Sequence, residues 1–219
     1  MIDAVVFDMD GVIVDSEQVW DDVRESYTRE VGGTYTDAAT RDMMGMSSLE
    51  WSRYMRDALG VPGTPEEINA EVVRRMLERY GEAPPLIPGA VDAVRRCAEA
   101  WPLAVASSSN PELIDVVLAR AGIRELFGAV VSSQEVARGK PAPDVYAEAA
   151  RRLGVEATRC AAVEDSHNGI RSAKAAGMRV VVFPNTHFPP DAEALALADA
   201  VVQSVADVPE TVRGLNDVE

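Results

Sequence analysis

The opening stretch Ile2-Asp3-Ala4-Val5-Val6-Phe7-Asp8-Met9-Asp10-Gly11-Val12-Ile13-Val14-Asp15-Ser16 constrains the fold more than any other part of the chain. An apolar run ends abruptly in two carboxylates, Asp8 and Asp10, one residue apart. Short apolar runs without polar alternation fit strands covered on both faces, as in a parallel sheet. Ligands of open α/β sheets gather beyond the carboxyl ends of such strands, so Asp8 stands where chemistry is expected. Gly11 permits a tight departure of the backbone. Met9 turns away and leaves Asp8 and Asp10 close together.

From about Ser16 to Gly81 the pattern is helical, with no convincing strand. Val19, Trp20, Val23, Tyr27 and Val31 recur at helical spacing until Gly32-Gly33, and Asp15 with Gln18 is the expected cap. Thr36-Asp37 opens a short second helix, Ser47 with Glu50 a third, and Thr64-Pro65-Glu66-Glu67 a fourth. The return, Glu82-Ala83-Pro84-Pro85-Leu86-Ile87-Pro88-Gly89, should be stiff and extended. The remainder alternates strands and helices, the signature of a parallel sheet with crossover helices. The expected organisation is an α/β chain: a Rossmann-like parallel-sheet core, residues 1–14 and 83–219, with an all-helical insert over residues 15–82.

A formal charge of −15, from 36 acidic against 21 basic residues, argues against nucleic acid or an anionic membrane as partner. It also demands a cation wherever a phosphorylated ligand binds. Cys97 and Cys160 read as two reduced thiols rather than a disulfide framework. An apolar strand at residue 2 leaves no room for a signal peptide, and no apolar run nears the ~20 residues that span a bilayer. The simplest expectation is a cytoplasmic protein.

Three further strand ends carry polar groups. Pro102-Leu103-Ala104-Val105-Ala106 runs into Ser107-Ser108-Ser109-Asn110 ahead of a helix at Pro111, which is either an ordinary cap or an anion site built on free N–H groups. After Ala129–Ser133 comes Gly139-Lys140-Pro141-Ala142-Pro143-Asp144-Val145-Tyr146, where a lysine is held between glycine and proline. Cys160–Val163 ends in Glu164-Asp165-Ser166-His167-Asn168-Gly169. Two acids at a buried strand end are costly unless a cation compensates them, and oxygen ligands suit Mg2+. His167 reads as a helix-start residue rather than a ligand.

These four segments, in this order, resemble the motifs of the haloacid dehalogenase superfamily, in its β-phosphoglucomutase-like branch of phosphatases and phosphomutases. Asp8–Val12 is similar to D-x-D-G-V/T, Ser107 to the hydroxyl closing the second motif, Gly139–Tyr146 to the third, and Glu164–Gly169 to E-D-S-x-x-G. The resemblance implies that Asp8 attacks phosphorus to form an aspartyl-phosphate and that Asp10 is acid and base. It implies that Ser107, Ser108 and Lys140 bind phosphate. Mg2+ would be held by Asp8, the Asp10 carbonyl and Asp165, with Glu164 as a ligand, direct or through water, or an acid that positions the ion. The helical insert would be a cap closing over the site. The substrate implied is a small phosphorylated metabolite, and the protein would act as a monomer or small homo-oligomer.

Dehalogenases in the family lack the second aspartate, so Asp10 points to phosphoryl transfer. The mutases carry a histidine where this chain has Trp20, and basic residues around the segment that here reads Met44-Gly45-Met46-Ser47-Ser48. That departure favours a phosphatase over a mutase, with a non-catalytic phospho-ligand-binding protein as the remaining alternative. Met43, Met44, Met46 and Trp51 form either a pocket wall or simply the interior of the insert. Arg24, Arg41 and Arg53 are the insert's candidate sources of positive charge.

Overall fold

A computed structural model describes residues 1–43, 46–185 and 189–216. Among the described residues six strands form one sheet: β1 (Ala4–Phe7), β2 (Leu103–Ser107), β3 (Phe127–Ser132), β4 (Cys160–Glu164), β5 (Arg179–Val182) and β6 (Ala200–Val201). Their order is β3-β2-β1-β4-β5-β6, and every pairing is parallel. The first strand is therefore central, with Val5 opposite Leu103 on one side and Ala4 opposite Cys160 on the other.

The lack of alternation in the apolar runs has a direct cause, because both faces of the sheet are covered. Val5, Phe7, Val105 and Val163 belong to one buried cluster, whereas Ala4, Val6, Ala104, Ala106 and Ala162 belong to another. The second face receives α7 (Asp144–Leu153) and α8 (His167–Ala175) through Tyr146, Ala149, Ile170 and Ala173. The first face receives α5 (Ala90–Ala98) and α6 (Pro111–Arg120). Two short helices, α9 (Ala192–Leu195) and α10 (Val208–Gly214), flank the last strand. Cys97 and Cys160 are buried, free thiols.

Among the described residues, four helices lie between β1 and α5: α1 (Glu17–Glu30), α2 (Asp37–Met43), α3 (Ser48–Asp57) and α4 (Pro65–Glu82). Two of their starts follow the sequence signals: the Glu50 carboxylate accepts from the Ser47 N–H at 2.8 Å, and Thr64 exchanges hydrogen bonds with Glu67. The first start does not. Ser16, not Asp15, is the N-cap residue of α1, because the two connections to the sheet pair with each other and claim Asp15. The Asp15 N–H donates to the Pro85 carbonyl at 2.8 Å, and the Ile87 N–H donates to Ile13 at 3.0 Å.

The apolar interior of the four helices is continuous with the first face of the sheet. Polar contacts cross the same junction. Ser48 donates to Asn110 at 2.9 Å, and Asn110 donates to Asn69 at 3.3 Å. No helix among the described residues is long and apolar enough to cross a membrane.

Candidate active site

The carboxyl ends of β1, β2 and β4, three adjacent strands, bring the polar residues together. The Asp8 N–H donates to the Val163 carbonyl at 2.9 Å, extending the ladder one residue beyond β1 and fixing where the Asp8 side chain emerges. The turn that follows depends on Gly11, whose φ is +77°. Any Cβ there would also overlap the Asp165 carboxylate. The glycine of the first motif thus makes room for the acid of the fourth.

Lys140 reaches the same point from the loop before α7. Its Nζ lies 2.6 Å from Glu164 Oε1 and 3.0 Å from Asp8 Oδ1, with both side chains essentially excluded from solvent. The approach to Asp8 is an ion pair without hydrogen-bond alignment, so the buried Asp8 Oδ1 has no hydrogen-bond donor. Glu164, by contrast, is fully engaged. Its Oε1 also accepts from the Tyr146 hydroxyl at 2.7 Å, and its Oε2 accepts from the N–H groups of Asp165 and Ser166 at 3.0 and 3.1 Å. Gly169 lies against this carboxylate, and a Cβ at that position would overlap it.

Burial pushes the Asp8 carboxyl up to about 8, against the pull of Lys140 and with Glu164 and Asp10 adding repulsion. Burial, together with Glu164 and Asp8, holds Asp165 well above the ordinary carboxylate range. Burial acts on Glu164 in the same sense, but Lys140 and the hydrogen bonds from Tyr146 and Ser166 outweigh it and hold that group low. Asp8, Glu164 and Asp165 each place one oxygen within 4.8 Å of the others, all buried. One ammonium does not balance three carboxylates. The unsatisfied Asp8 Oδ1 and an all-oxygen donor set fit a hard divalent cation.

Asp10 stands apart from this cluster and is held differently. Its Oδ2 accepts from Ser109 at 2.7 Å and from Ser107 at 3.3 Å, and its Oδ1 accepts from the Ser16 hydroxyl and from the Trp20 indole at 3.4 Å. Four donors, from the end of β2, the loop after it, the linker and α1, orient one carboxylate.

A cavity of about 140 Å³ opens over these groups. Asp8, Asp10, Ser108, Lys140 and Asp165 line it. Ser107 and Glu164 lie behind the wall, Ser107 turned to Asp10 and accepting the Ser109 N–H at 3.0 Å. Met43, Met46 and Trp51 also line the cavity, and Met43 and Trp51 belong to the buried core as well, so the two readings of these residues are not exclusive. Ser48 lines it too, while Met44 lies outside the described residues. His167 opens α8. Arg56 pairs with Asp57 on the surface.

Several participants escaped the sequence reading. Ser16, Trp20 and Ser109 hold Asp10, Tyr146 holds Glu164, and Asn185 donates to Asp165 at 3.2 Å. Ser16, Trp20, Ser109 and Tyr146 stand in segments or at positions already singled out, but not in these roles, and Asn185 had no signal. Glu17 and Arg24 line the cavity from α1. Burial pushes Glu17 up to about 7, against a hydrogen bond from Asn185. Burial brings Arg24 down to about 10, so its guanidinium remains charged at neutral pH.

The family model described as haloacid dehalogenase-like hydrolase matches residues 2–177. Hexitol phosphatase B of Escherichia coli (strain K12) is 32% identical over 212 residues, covering 94% of this chain and 93% of that protein. Fructose-1-phosphate phosphatase YqaB of the same organism is 36% identical over 186 residues, 81% of this chain and 94% of its own. The crystal structure of CbbY from Rhodobacter sphaeroides in complex with phosphate superposes with a TM-score of 0.84 at 28% identity, covering 95% of this chain and 96% of that one.

Proposed function

The chain belongs to the haloacid dehalogenase-like hydrolases, and on that footing we propose that it is a Mg2+-dependent phosphatase of a small phosphorylated metabolite, a sugar phosphate or similar phosphomonoester. The observation that carries this reading is the pairing of two unlike carboxylates at one cavity. Asp8 sits beside a buried ammonium with an oxygen left without a donor, and Asp10 is oriented by four donors.

Asp8 is the nucleophile. Its carboxylate attacks phosphorus, the bond from phosphorus to the leaving oxygen breaks, and an aspartyl-phosphate forms. Asp10 gives its proton to the departing alkoxide. It then takes one from the water that attacks the acyl-phosphate, and the second displacement frees Asp8 and inorganic phosphate. Lys140 opposes the effect of burial on Asp8 and so eases its ionisation, and it takes a phosphoryl oxygen, as does Ser108. Ser107 serves the same centre by holding Asp10. Asp8, the Asp10 carbonyl and Asp165 are the residues that would hold Mg2+, which when bound offsets the repulsion between carboxylate and phosphoryl group. Glu164, with both oxygens engaged, fixes Lys140 and supports the ion indirectly.

Residues 15–82 act as a cap on the core formed by residues 1–14 and 83–219. The paired linkers and the bridging Asn110 support that division. The acidic charge supports a small-molecule partner over nucleic acid or membrane, and the two free thiols support the cytoplasm as the working compartment.

The test is a phosphate-release screen over phosphorylated metabolites, with Mg2+ and with chelator. Asp8→Asn should abolish turnover and leave binding largely intact. Near-normal turnover in that variant would remove Asp8 from its role, and silence of the native chain across a broad panel would refute the phosphatase. Following both products from a hexose 1-phosphate separates hydrolysis from isomerisation.

A further inference from the structure

Arg24 is a cation of the cavity for which the steps above have no use. Its guanidinium lies 4.6 Å from the Trp20 ring centroid and 4.8 Å from that of Trp51, facing both indoles. Its Nε is buried and has no hydrogen-bond partner among the described residues. The two carboxylates whose charge acts on it, Asp21 and Asp10, both accept hydrogen bonds from other groups. Asp21 Oδ1 accepts from the Tyr35 and Thr40 hydroxyls, and Asp10 accepts from its four donors.

A guanidinium that has given up part of its hydration without gaining a carboxylate partner is normally unfavourable. The indoles offset part of that cost and also lock the planar fork in one orientation. They satisfy the charge but no N–H. A locked fork without a carboxylate partner, on the wall of the cavity that holds Asp8, is a recognition element for paired oxygens, and its charge selects anionic over hydroxyl oxygens.

We propose that Arg24 is a specificity-determining residue, and that the preferred substrate carries a second anionic group, a carboxylate or another phosphate, distal to the phosphoester that Asp8 attacks. The assignment rests on the phosphatase reading of the same cavity, and it narrows the substrate class from phosphomonoesters in general to those with an anionic far end.

Two matched pairs of probes test it: 3-phosphoglycerate against glycerol 3-phosphate, and fructose 1,6-bisphosphate against fructose 1-phosphate. The native chain should favour the anionic member of at least one pair in kcat/KM, and which pair it is distinguishes carboxylate from phosphate. Arg24→Met should reduce that preference by about tenfold or more, the scale of a charge-assisted contact, with Arg24→Lys between the two. A preference that survives Arg24→Met, or equal losses on both members, overturns the proposal, as does a native preference for the neutral members. Calorimetric titration of the same probes into Asp8→Asn and Asp8→Asn/Arg24→Met reads the preference without turnover. An Arg24-dependent binding preference in a chain that releases no phosphate would sustain this assignment and sink the phosphatase. Thermal melts of the variants separate loss of preference from loss of fold.

Discussion

Gly169→Ala should destabilise the chain, although in most helices the exchange of glycine for alanine stabilises by about 0.5–1 kcal/mol. Gly169 lies in the first turn of α8, where an added Cβ would overlap the Glu164 carboxylate. An exposed glutamate would swing aside at little cost. This one is held at one oxygen by Lys140 at 2.6 Å and Tyr146 at 2.7 Å, and at the other by two backbone N–H groups. Displacing it breaks a buried ion pair, which costs about 3–5 kcal/mol, and the helical gain leaves a net loss of about 2–4 kcal/mol. Urea denaturation of the metal-free chain measures it. The same substitution in a Glu164→Ala background has nothing to strike, so there it should be neutral or stabilising. A loss under about 1 kcal/mol in the native background, or equal losses in both, would refute the claim that the motif glycine exists to seat Glu164.

Other expectations follow from the same geometry. Asp165→Asn should raise the Mg2+ concentration needed for half-maximal activity steeply, whereas His167→Ala should change it little; a metal titration impaired only in the histidine variant would reverse the assignment. Without divalent metal, the folded chain keeps the Asp8 proton up to about pH 8, while the unfolded chain loses it near pH 4. The folded state therefore binds more protons across that window, and stability should fall as pH rises from about 4 to about 8. Mg2+ should reduce that fall, and thermal melts with and without the ion would show a flat or rising metal-free trend if the reasoning fails. Ser109→Ala removes a 2.7 Å hydrogen bond to Asp10 and should lower kcat by about tenfold with little change in KM, in line with the loss of one hydrogen bond to a charged group. A change confined to KM would place Ser109 on the substrate instead.

The parts of the site legible in the sequence are those that close a strand. Asp8, Ser107, Glu164 and Asp165 each terminate an unbroken apolar run, and two-sided burial of the sheet makes such runs conspicuous. Lys140 was legible through its glycine and proline neighbours. What could not be read is what depends on the insert meeting the core. Trp20 is the apolar position expected of α1, and only the paired linkers turn its indole N–H toward Asp10. The misplaced cap at Asp15 has the same origin, since local cap preference lost to a pairing with Pro85, distant in the chain. Tyr146 reads as an ordinary helix residue until Glu164 is beneath its hydroxyl.

The central place of β1 bears on how such a chain comes to be made. Its two neighbours, β2 and β4, are synthesised long after it, and Ala4 finds Cys160 only when most of the polypeptide exists. A nascent chain that stops short of β4 possesses Asp8 but neither Asp165 nor the strand whose Val163 carbonyl fixes Asp8 in place. Half-made molecules therefore carry no competent centre, and they present the bare edges of an apolar strand to one another. Pairings so distant along the chain close slowly. Synthesis in a crowded cell should consequently favour a holding chaperone until Cys160–Glu164 has been added, and ribosome-bound chains arrested before and after that strand should differ sharply in protease resistance.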